Sequence, residues 1–486
     1  MVTKEVRDRY EAVIGLEVHV QLLTQSKIFA GDANQFGNAP NQNISVITLG
    51  HPGTLPKLNK RVVAHAIKMG LACDSEIARY QFFDRKNYFY PDLPKGYQTT
   101  QDNTPVCIGG FVAVKTAAGV KSDVKLNRIH MEEDAGKSIH TQDAHESLVD
   151  YNRAGVPLIE IVTEPVIGSS EEAAAFLTEI RKLVRYLGIS DGNMEEGSMR
   201  CDANISVRLQ GDPELGKKVE VKNMNSIRNV SHAINHEIGR QIAELEQGNE
   251  IISETRLFDV PSGTTAGMRT KEALNDYRYF PEPDLSPFEV TEEWLKELHA
   301  EMPALPKQLI AQFTEELGLP EYDAYVLTES GELAAYFLEL GKAAGDYKVA
   351  SNWMMGPVKS YLNEHSTEVN EFPLAPQQLA ALLKMVKDQL VSNSVATQKL
   401  FPQLIAKPGV NPVELAKSQN LIQDSDSDSI MPLIEEVLAS NEAKVAEYKK
   451  GRKGLLGLFV GEVMKKSRGK ADPKLTNQLI RETLEQ

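Results

Sequence analysis

Acidic residues and one histidine alternate with apolar residues at several places along the chain. Glu17 and His19 lie two residues apart in GLEVHVQL, Glu160 stands between two isoleucines in LIEIVTEP, and Asp202 alternates with apolar neighbours in CDANISVR. This alternation predicts β-strands. Since side chains two residues apart on a strand point to the same face, the polar groups of each segment share one face. Carboxylates from separate strands could therefore converge on one surface.

Two further segments add acidic side chains to this set. Glu132 and Glu133 are adjacent in IHMEEDAGK, and Glu220 precedes Lys222 on the same face of VEVKN. Converging carboxylates repel one another unless a cation lies among them. Oxygen ligands with a single imidazole suit Mg²⁺ or Mn²⁺ better than zinc. Because adjacent strand residues point to opposite faces, Glu132 and Glu133 could reach one metal only from a loop or a bulge.

A sheet with one solvated face gives the same alternation without any metal. For a single pair, such as Glu17 and His19, the structural and the functional interpretation both remain open. Glu160 fits the structural interpretation less well, because isoleucines flank it in an otherwise apolar strand.

A second cluster combines cations with aromatic rings in FFDRKNYFYPDLPKGYQ, residues 82–98. Arg85, Lys86 and Lys95 are interspersed with tyrosines that include Tyr88 and Tyr90. Such a segment could hold the charge of a triphosphate and the ring of a base. A surface loop anchored by its tyrosines is the alternative interpretation.

The common nucleotide-binding signatures are missing from the sequence. Gly136-Lys137-Ser138 resembles the end of a P-loop, but Met131 stands where the upstream glycine is required. No GxGxxG follows a predicted strand. If the protein uses ATP, we therefore expect a fold that is neither P-loop nor Rossmann.

Basic and acidic residues are also dense in the segment 255–285. Arg256, Arg269, Lys271 and Arg278 could form a patch that faces phosphates, with Asp276 and Glu282 as structural partners; composition alone makes this a weak signal.

The elements that carry these motifs predict an α+β protein of about three domains. Its 486 residues fit that number at roughly 150 residues per domain. Residues 1–293 read as a mixed or antiparallel sheet interrupted by helices at 170–187 and 227–247, the first capped by Ser170. Residues 294–405 and 406–486 have helical periodicity.

The net charge of −15 argues against nucleic-acid binding only as an average over the chain. Between Lys444 and Lys474 there are ten basic and three acidic residues, a local balance of +7. We therefore expect residues 406–486 to form a basic helical tail domain.

The N-terminal segment has neither the apolar run nor the cleavage site of a signal peptide. The three cysteines, Cys73, Cys107 and Cys201, form no CxxC pair. No segment has the roughly 20 apolar residues that span a bilayer. These features predict a cytoplasmic protein with reduced thiols.

Seven motifs in collinear order resemble the B subunits of the aspartyl/glutamyl-tRNA amidotransferases. They are GLEVHVQLLTQSKIF, RKNYFYPDLPKGYQ, HMEEDAGK, DYNRAGVPLIEIVTEP, MEEGSMRCDANISVR, VEVKNMNS and RTKEALNDYRYFPEPDL. The C-terminal segment GLLGLFVGEVMKKSRGKADPKLTNQLI resembles the tRNA-binding domain of that family. The resemblance therefore implies that the tail domain, residues 406–486, binds tRNA.

The resemblance implies a cradle-like α+β catalytic domain and a two-step reaction on a mischarged tRNA. ATP phosphorylates the side-chain carboxylate of Glu on tRNA(Gln) or of Asp on tRNA(Asn). Ammonia from a glutaminase A subunit then displaces the phosphate, and a small C subunit supports the other two. ATP and Mg²⁺ are the implied cofactors. Some relatives carry a CxxC zinc site where this chain reads NQNISVITLGHPG, so we expect no structural zinc.

The resemblance also implies roles for individual residues. His19, Glu132 and Glu160 match the metal positions, while Lys86 and Lys95 match positions near the ATP and the mouth of the ammonia path. The same polar cavity would also hold five acids, namely Glu17, Glu133, Glu196, Asp202 and Glu220. Catalytic roles are expected for these acids except Glu196, and for Lys86 and Lys95. Nucleotide contacts are expected from Arg85, Lys86, Tyr88 and Tyr90.

Two other functions fit parts of the pattern, namely a non-catalytic tRNA-binding scaffold and a free-standing metal-dependent phosphohydrolase. The scaffold predicts missing acids, yet Glu17, His19, Glu132 and Glu160 are all in place. The hydrolase predicts activity without RNA. No glutaminase motif is apparent, so ammonia must come from a partner.

Overall fold

The computed structural model describes most of the chain, namely residues 2–140, 146–270, 277–422, 427–467 and 471–485. The chain divides into two compact units, Met1–Pro306 and Lys307–Gln486. The first is built on strands and the second on helices. The predicted α+β class, with a mixed sheet followed by a helical region, is confirmed.

Strands and a few helices make up the first unit. Its strands are β1 (Tyr10–Gln21), β2 (Glu76–Ile77), β3 (Tyr80–Gln81), β4 (Asp84–Asn87), β5 (Tyr97–Thr100), β6 (Cys107–Ile108), β7 (Phe111–Lys115), β8 (Lys121–Glu133), β9 (Lys137–His140), β10 (Ser147–Asp150), β11 (Pro157–Thr163), β12 (Met199–Leu209), β13 (Val219–Met224), β14 (Glu254–Asp259), β15 (Thr264–Thr270), β16 (Phe280–Pro281) and β17 (Phe288–Glu289). Its helices are α1 (Lys4–Arg7), α2 (Lys60–Ala72), α3 (Ser170–Tyr186), α4 (Ile227–Glu246) and α5 (Glu292–Ala300).

One mixed sheet dominates this unit. Its strand order is β15-β14-β13-β12-β1-β11-β8-β6-β2, and β7 also pairs with β8. The β13–β14 pair is parallel, whereas β1 pairs in antiparallel fashion with both β11 and β12. The motif-bearing strands β13, β12, β1, β11 and β8 are thus consecutive in the sheet.

The alternation in β1 separates a buried face from a polar face, as predicted. Leu16, Val18 and Val20 are fully buried and belong to a hydrophobic core that includes Phe176 of α3 and Ile234 of α4. Burial of each such side chain contributes about 1.5–3 kcal/mol relative to exposure. This packing on one face directs Glu17 and His19 to the opposite face.

Helices α3 and α4 occur where the periodicity predicted them, but the predicted N-cap of α3 is wrong by one residue. Ser169, in extended conformation, accepts a hydrogen bond at its Oγ from the Glu172 N–H over 3.1 Å. Ser170 is the first helical residue, and its Oγ accepts a hydrogen bond from Asn235 on α4. A cap requires non-helical backbone, which only Ser169 has.

The second unit consists of helices. They are α6 (Pro306–Ala311), α7 (Glu321–Leu327), α8 (Gly331–Ala344), α9 (Tyr347–Trp353), α10 (Lys359–His365), α11 (Pro376–Lys387), α12 (Asn393–Val395), α13 (Phe401–Ala406), α14 (Pro412–Ser418), α15 (Ser427–Ala439), α16 (Glu442–Lys449), α17 (Leu456–Lys466) and α18 (Pro473–Glu485), with π-helical segments at Gln312–Glu316, Met354–Val358 and Ala396–Leu400 and 3₁₀ segments at Val369–Glu371 and Lys453–Leu455. Among the described residues, no helix is both long and apolar enough to cross a bilayer.

The last helices of this unit share a hydrophobic cluster that contains Ile434 of α15, Phe459 of α17 and Ile480 of α18. Two of the ten basic residues between Lys444 and Lys474, namely Arg468 and Lys470, lie outside the described residues. The division into three domains at residues 293 and 405 stays a prediction.

Candidate active site

The register of the sheet aligns four polar side chains in one row across its polar face. His19 on β1 lies opposite Arg200 on β12 and opposite Glu160 on β11, and Glu160 lies opposite His130 on β8. Neighbouring strands are about 5 Å apart, so residues of one row contact one another. The row places a carboxylate between two imidazoles.

Glu132 completes a compact group with this row. The Glu160 Oε2 lies 3.4 Å from the Nε2 of both His19 and His130. Glu132 approaches the same two imidazoles at 4.0 and 3.8 Å and accepts a hydrogen bond from the Thr100 hydroxyl. His19, Glu132 and Glu160 each offer a ligand atom within 4.8 Å of the others. The three predicted metal residues are therefore brought together.

The electrostatics of this group show that it needs positive charge. Burial lowers the pKa of His130, but the bonds to Glu132 and Glu160 outweigh burial and raise that pKa to about 9. The pKa of His19 is raised for the same reason. Burial raises the pKa of Glu160, yet the two imidazoles hold it well below its ordinary value. Protons on the imidazoles thus neutralise the carboxylates.

This donor set fits a hard divalent cation. Two carboxylates and one imidazole are ligands that Mg²⁺ or Mn²⁺ accepts, whereas zinc prefers sites richer in imidazole or thiolate. All three residues face the same cavity, which leaves room for waters or substrate oxygens in the remaining positions. A bound cation would take over the charge that the imidazole protons supply, and it would release those protons.

A second acidic group lies beside the first on the same face. Glu17 of β1 is opposite Asp202 of β12, and Glu17, Asp202 and Glu220 bring carboxylate oxygens within 4.8 Å of one another. The Lys222 ammonium contacts Asp202 at 2.5 Å and Glu220 at 3.1 Å. Asn204 donates to Glu17 over 2.9 Å. This group already contains a cation of its own.

Both groups line one large cavity of about 780 Å³. The predicted residues on its wall are Glu17, His19, Lys86, Tyr88, Glu132, Glu160, Asp202 and Glu220. The Lys86 ammonium lies 4.9 Å from the ring centroid of Tyr277 and 5.8 Å from that of Tyr88. Burial, together with Glu132 and other nearby acids, raises the pKa of Tyr88, so its hydroxyl stays protonated.

Two of the residues predicted to contact a nucleotide, Arg85 and Tyr90, do not line the large cavity. The Arg85 guanidinium forms a bidentate pair with Glu282 and contacts Asp284, and it stacks on the Tyr97 ring. Glu282, which the sequence suggested as a structural partner within the segment 255–285, thus pairs with Arg85 instead. Tyr90 is exposed, with its ring 6.4 Å from that of Tyr88. Neither Arg85 nor Tyr90 is among the described residues that line the large cavity, and their nucleotide contact stays a prediction.

Glu133 lies on the other side of β8 from Glu132, as strand geometry requires. It lines a smaller cavity of about 220 Å³, where its carboxylate pairs with the Lys95 ammonium and accepts a hydrogen bond from the Thr99 N–H. The expectation that Glu133 shares the cavity of Glu132 is therefore wrong. Glu196, expected in the same cavity, is exposed in a turn before β12.

The patch expected from the basic segment 255–285 stays a prediction, because only part of this segment lies within the described residues. Arg256 pairs with Glu254 and lies 3.6 Å from the buried carboxylate of Glu237, so it has structural partners. Lys271, Asp276 and the side chain of Arg269 lie outside the described residues.

Sequence reasoning missed several residues of these cavities. His130 and Arg200 lie two positions before Glu132 and Asp202, so the same-face rule applied to Glu17 and His19 would have found both. Arg200 forms a bidentate pair with buried Asp134 at 3.0 and 3.1 Å. No sequence signal marked Lys27.

Lys27 is buried on the wall of the smaller cavity. Its ammonium donates hydrogen bonds to the carbonyl oxygens of Asn43 and Tyr151, at 2.6 and 3.4 Å. Burial lowers its pKa to about 8, although the nearby acids Asp32 and Glu133 oppose that shift.

Comparisons with known proteins cover nearly the whole chain. A family described as the GatB/GatE catalytic domain matches residues 12–296, and a family described as the GatB domain matches residues 335–484. The chain is 47% identical to a protein of Trichodesmium erythraeum over 99% of both chains, and 48% identical to one of Thermodesulfovibrio yellowstonii over 97% of this chain and 98% of the relative. Both relatives are named as the B subunit of an aspartyl/glutamyl-tRNA(Asn/Gln) amidotransferase.

The matched catalytic domain contains every residue that lines the two cavities. Identity near one half over nearly the full length of both relatives confirms the resemblance that the motifs indicated. The chain belongs to the family of aspartyl/glutamyl-tRNA(Asn/Gln) amidotransferase B subunits.

Proposed function

We propose that this chain performs the ATP-dependent amidation step on mischarged Glu-tRNA(Gln), Asp-tRNA(Asn) or both. In this reaction the side-chain carboxylate is phosphorylated, and ammonia from a partner glutaminase subunit then displaces the phosphate. The observation that carries the proposal is the group of His19, Glu132 and Glu160 in a large cavity that is also lined by cations and tyrosines.

The chemistry of the large cavity suits activation of a carboxylate. A carboxylate is a poor electrophile, and its acyl phosphate has a good leaving group. Phosphoryl transfer depends on positioning and on neutralising the charge of the phosphoryl oxygens. His19, Glu132 and Glu160 would hold Mg²⁺, which would supply that charge as a Lewis acid. Lys86 adds a second positive charge on the same wall.

The residues around Lys86 support a nucleotide subsite. Its ammonium lies near the faces of Tyr88 and Tyr277, and all three line the cavity. Aromatic faces stack on bases, and an ammonium attracts phosphate oxygens. We infer that Tyr88 and Lys86 contact ATP.

The smaller cavity suits the delivery of ammonia. Tyr97 and Thr99 line it, whereas Gln98 and Thr100 line the large cavity, so β5 forms a wall between the two. Lys95 and Glu133 pair in the smaller cavity. We infer that ammonia from a glutaminase subunit enters on the Lys95 side. A small third subunit is the other expected partner.

The substitution Glu132→Ala tests this function in the reconstituted complex with both partner subunits. We expect loss of ATP-dependent amidation of mischarged tRNA, while glutamine hydrolysis by the partner stays measurable. Glu195→Ala, in an exposed turn, is the matched control and should amidate normally. Full amidation by the Glu132 variant would contradict the metal assignment, and it would favour a role as a tRNA-binding scaffold.

The basic C-terminal segment gives a separate test of tRNA binding. Its positive charges would release counterions from tRNA phosphates. Deletion from about residue 410 should weaken tRNA binding by the complex and give a shallower dependence of affinity on salt. Equal affinity across a salt series would exclude this segment as the RNA contact.

A further inference from the structure

Arg128 is a cation of the large cavity that the motifs did not mark. It lies on β8 two residues before His130 and lines the cavity together with Lys86 and Tyr279. Its Nε is buried and has no hydrogen-bond partner among the described residues. A buried donor without an acceptor costs free energy, so an acceptor supplied by a ligand would stabilise this position.

The other guanidinium on the cavity wall is already neutralised. Arg200 is held by a bidentate pair with Asp134. The Lys222 ammonium likewise lies between Asp202 and Glu220. Arg128 forms no ion pair within the described part of the chain, and its cross-strand neighbours are Val162 on β11 and Ile108 on β6. Both neighbours are apolar.

The position of Arg128 relative to the proposed metal group (His19, Glu132 and Glu160) indicates the kind of ligand that Arg128 binds. On β8, residues 128, 130 and 132 alternate with the buried Ile129 and Met131, so Arg128 shares the cavity face with His130 and Glu132. An anion near the metal group would therefore come within reach of a guanidinium that has unused donors. Guanidinium groups match phosphate oxygens through paired N–H donors.

We propose that Arg128 binds the phosphate chain of ATP in the large cavity. The inference rests on the proposed function, since it assumes that this cavity holds the nucleotide. Arg128 would contact phosphate oxygens on the side away from Glu17 and the second acidic group, and Lys86 would supply a second cation. The side-chain carboxylate of the aminoacyl-tRNA is the other anion that enters the reaction.

Nucleotide affinity of the complete complex tests the proposal directly. Calorimetric titration with ATP and with adenosine, both in the presence of Mg²⁺, separates phosphate contacts from base contacts. We expect R128A to raise the Kd of ATP by roughly 10- to 100-fold and to leave that of adenosine unchanged. R128K should fall between R128A and the unsubstituted protein, and added guanidinium chloride should restore part of the affinity of R128A for ATP.

The control is K125A, on the same strand but exposed and outside the cavity. It should bind ATP as the unsubstituted protein does. Thermal unfolding of each variant monitors the fold, and R128Q, which keeps much of the side-chain volume, replaces R128A if that variant does not fold.

Three outcomes would overturn the proposal. Equal ATP affinity of R128A and the unsubstituted protein would exclude phosphate binding by Arg128. If R128A then also had a raised KM for mischarged tRNA, Arg128 would be reassigned to binding of the substrate carboxylate. Parallel loss of ATP and adenosine binding would indicate a structural role. If the folded, unsubstituted complex bound no ATP, the proposed function itself would fail, and this inference would fail with it.

Discussion

Glu132 and Glu133 are neighbours in the chain, yet they lie in cavities with different chemistry. On the side of Glu132, two carboxylates contact two imidazoles in a cavity of about 780 Å³. On the side of Glu133, a single buried pair with Lys95 stands near the buried ammonium of Lys27 in about 220 Å³. The comparison shows that strand alternation can place adjacent acids in separate cavities.

The two cavities also differ in how strongly water screens their lysine–carboxylate pairs. The side chains of Lys95 and Glu133 are 14% and 6% exposed, whereas Lys222, which pairs with Asp202, is 37% exposed. Removing one partner of a buried ion pair strongly lowers the free energy of unfolding, because the other charge stays buried. Removing one partner of a solvated pair lowers it much less. Changes in the small cavity should therefore affect stability, and changes in the large cavity should affect chemistry.

The largest expected difference is between Glu132→Gln and Glu133→Gln. Glu132→Gln removes one of the proposed metal ligands, so we expect tRNA-dependent phosphate release from ATP to fall by about 10³-fold. Glu133→Gln should keep most of this phosphate release. Phosphate release is measured in the complex with mischarged tRNA and no nitrogen donor. Equal losses in the two variants would show that the wall between the cavities does not separate their functions.

Next in size is the effect of removing each lysine on stability. Lys95→Met leaves the buried Glu133 without its paired ammonium and should lower the free energy of unfolding by about 2–4 kcal/mol. Lys222→Met should lower it by about 1 kcal/mol, because water screens that group. Urea unfolding is followed by Trp294 fluorescence in a Trp353→Phe background, which reports on the first unit. The double variant Lys95→Met/Glu133→Gln should recover most of the loss, and a larger loss for Lys222→Met would reverse the comparison.

A pH-dependent effect also distinguishes the small cavity. Burial lowers the pKa of Lys27 to about 8, from an ordinary value of 10.5. Between those pH values the unfolded chain binds a proton that the folded protein has released, so the free energy of unfolding rises with pH, by on the order of 3 kcal/mol. The difference between the unsubstituted protein and Lys27→Met, measured by urea unfolding from about pH 7 to about pH 10.5, should show this rise. A difference that stays constant or declines with pH would contradict the lowered pKa.

The smallest expected effect separates two tyrosines of one loop. Tyr88 lines the large cavity and Tyr90 is exposed. Tyr88→Ala should raise the Kd of ATP about tenfold through loss of a stacking surface, and Tyr90→Ala less than about twofold. Calorimetric titration of both variants measures this. A larger effect from Tyr90→Ala would place the nucleotide outside the large cavity.

Local pattern was sufficient for much of the fold and for part of the site. The alternation in β1 predicted that Glu17 and His19 share a face, because the side-chain period of a strand is a property of the backbone. Periodicity located α3 and α4 to within one residue, although the cap of α3 depended on the backbone conformation of Ser169. Collinear motifs indicated the family, which the comparisons confirm.

Partners across the sheet could not be predicted in the same way. The pairing of Arg200 with Asp134, and that of Arg85 with Glu282, joins residues far apart in sequence. Composition made Arg85 a candidate for phosphate binding, whereas the fold provides it with two carboxylates. The formal charge of an isolated segment does not reveal which of its charges are already neutralised.

The sequence by itself determined the main motif-bearing strands, the shared face of Glu17 and His19, and the family to which the chain belongs. Only the tertiary structure decided that His130 joins His19 and Glu160, that Lys222 fills the second acidic group, and that Glu133 faces another cavity with Lys27. The physical reason is register. Strands β1, β11 and β8 are separated by long stretches of chain, and the packing of their apolar faces into one core sets which residues lie opposite one another.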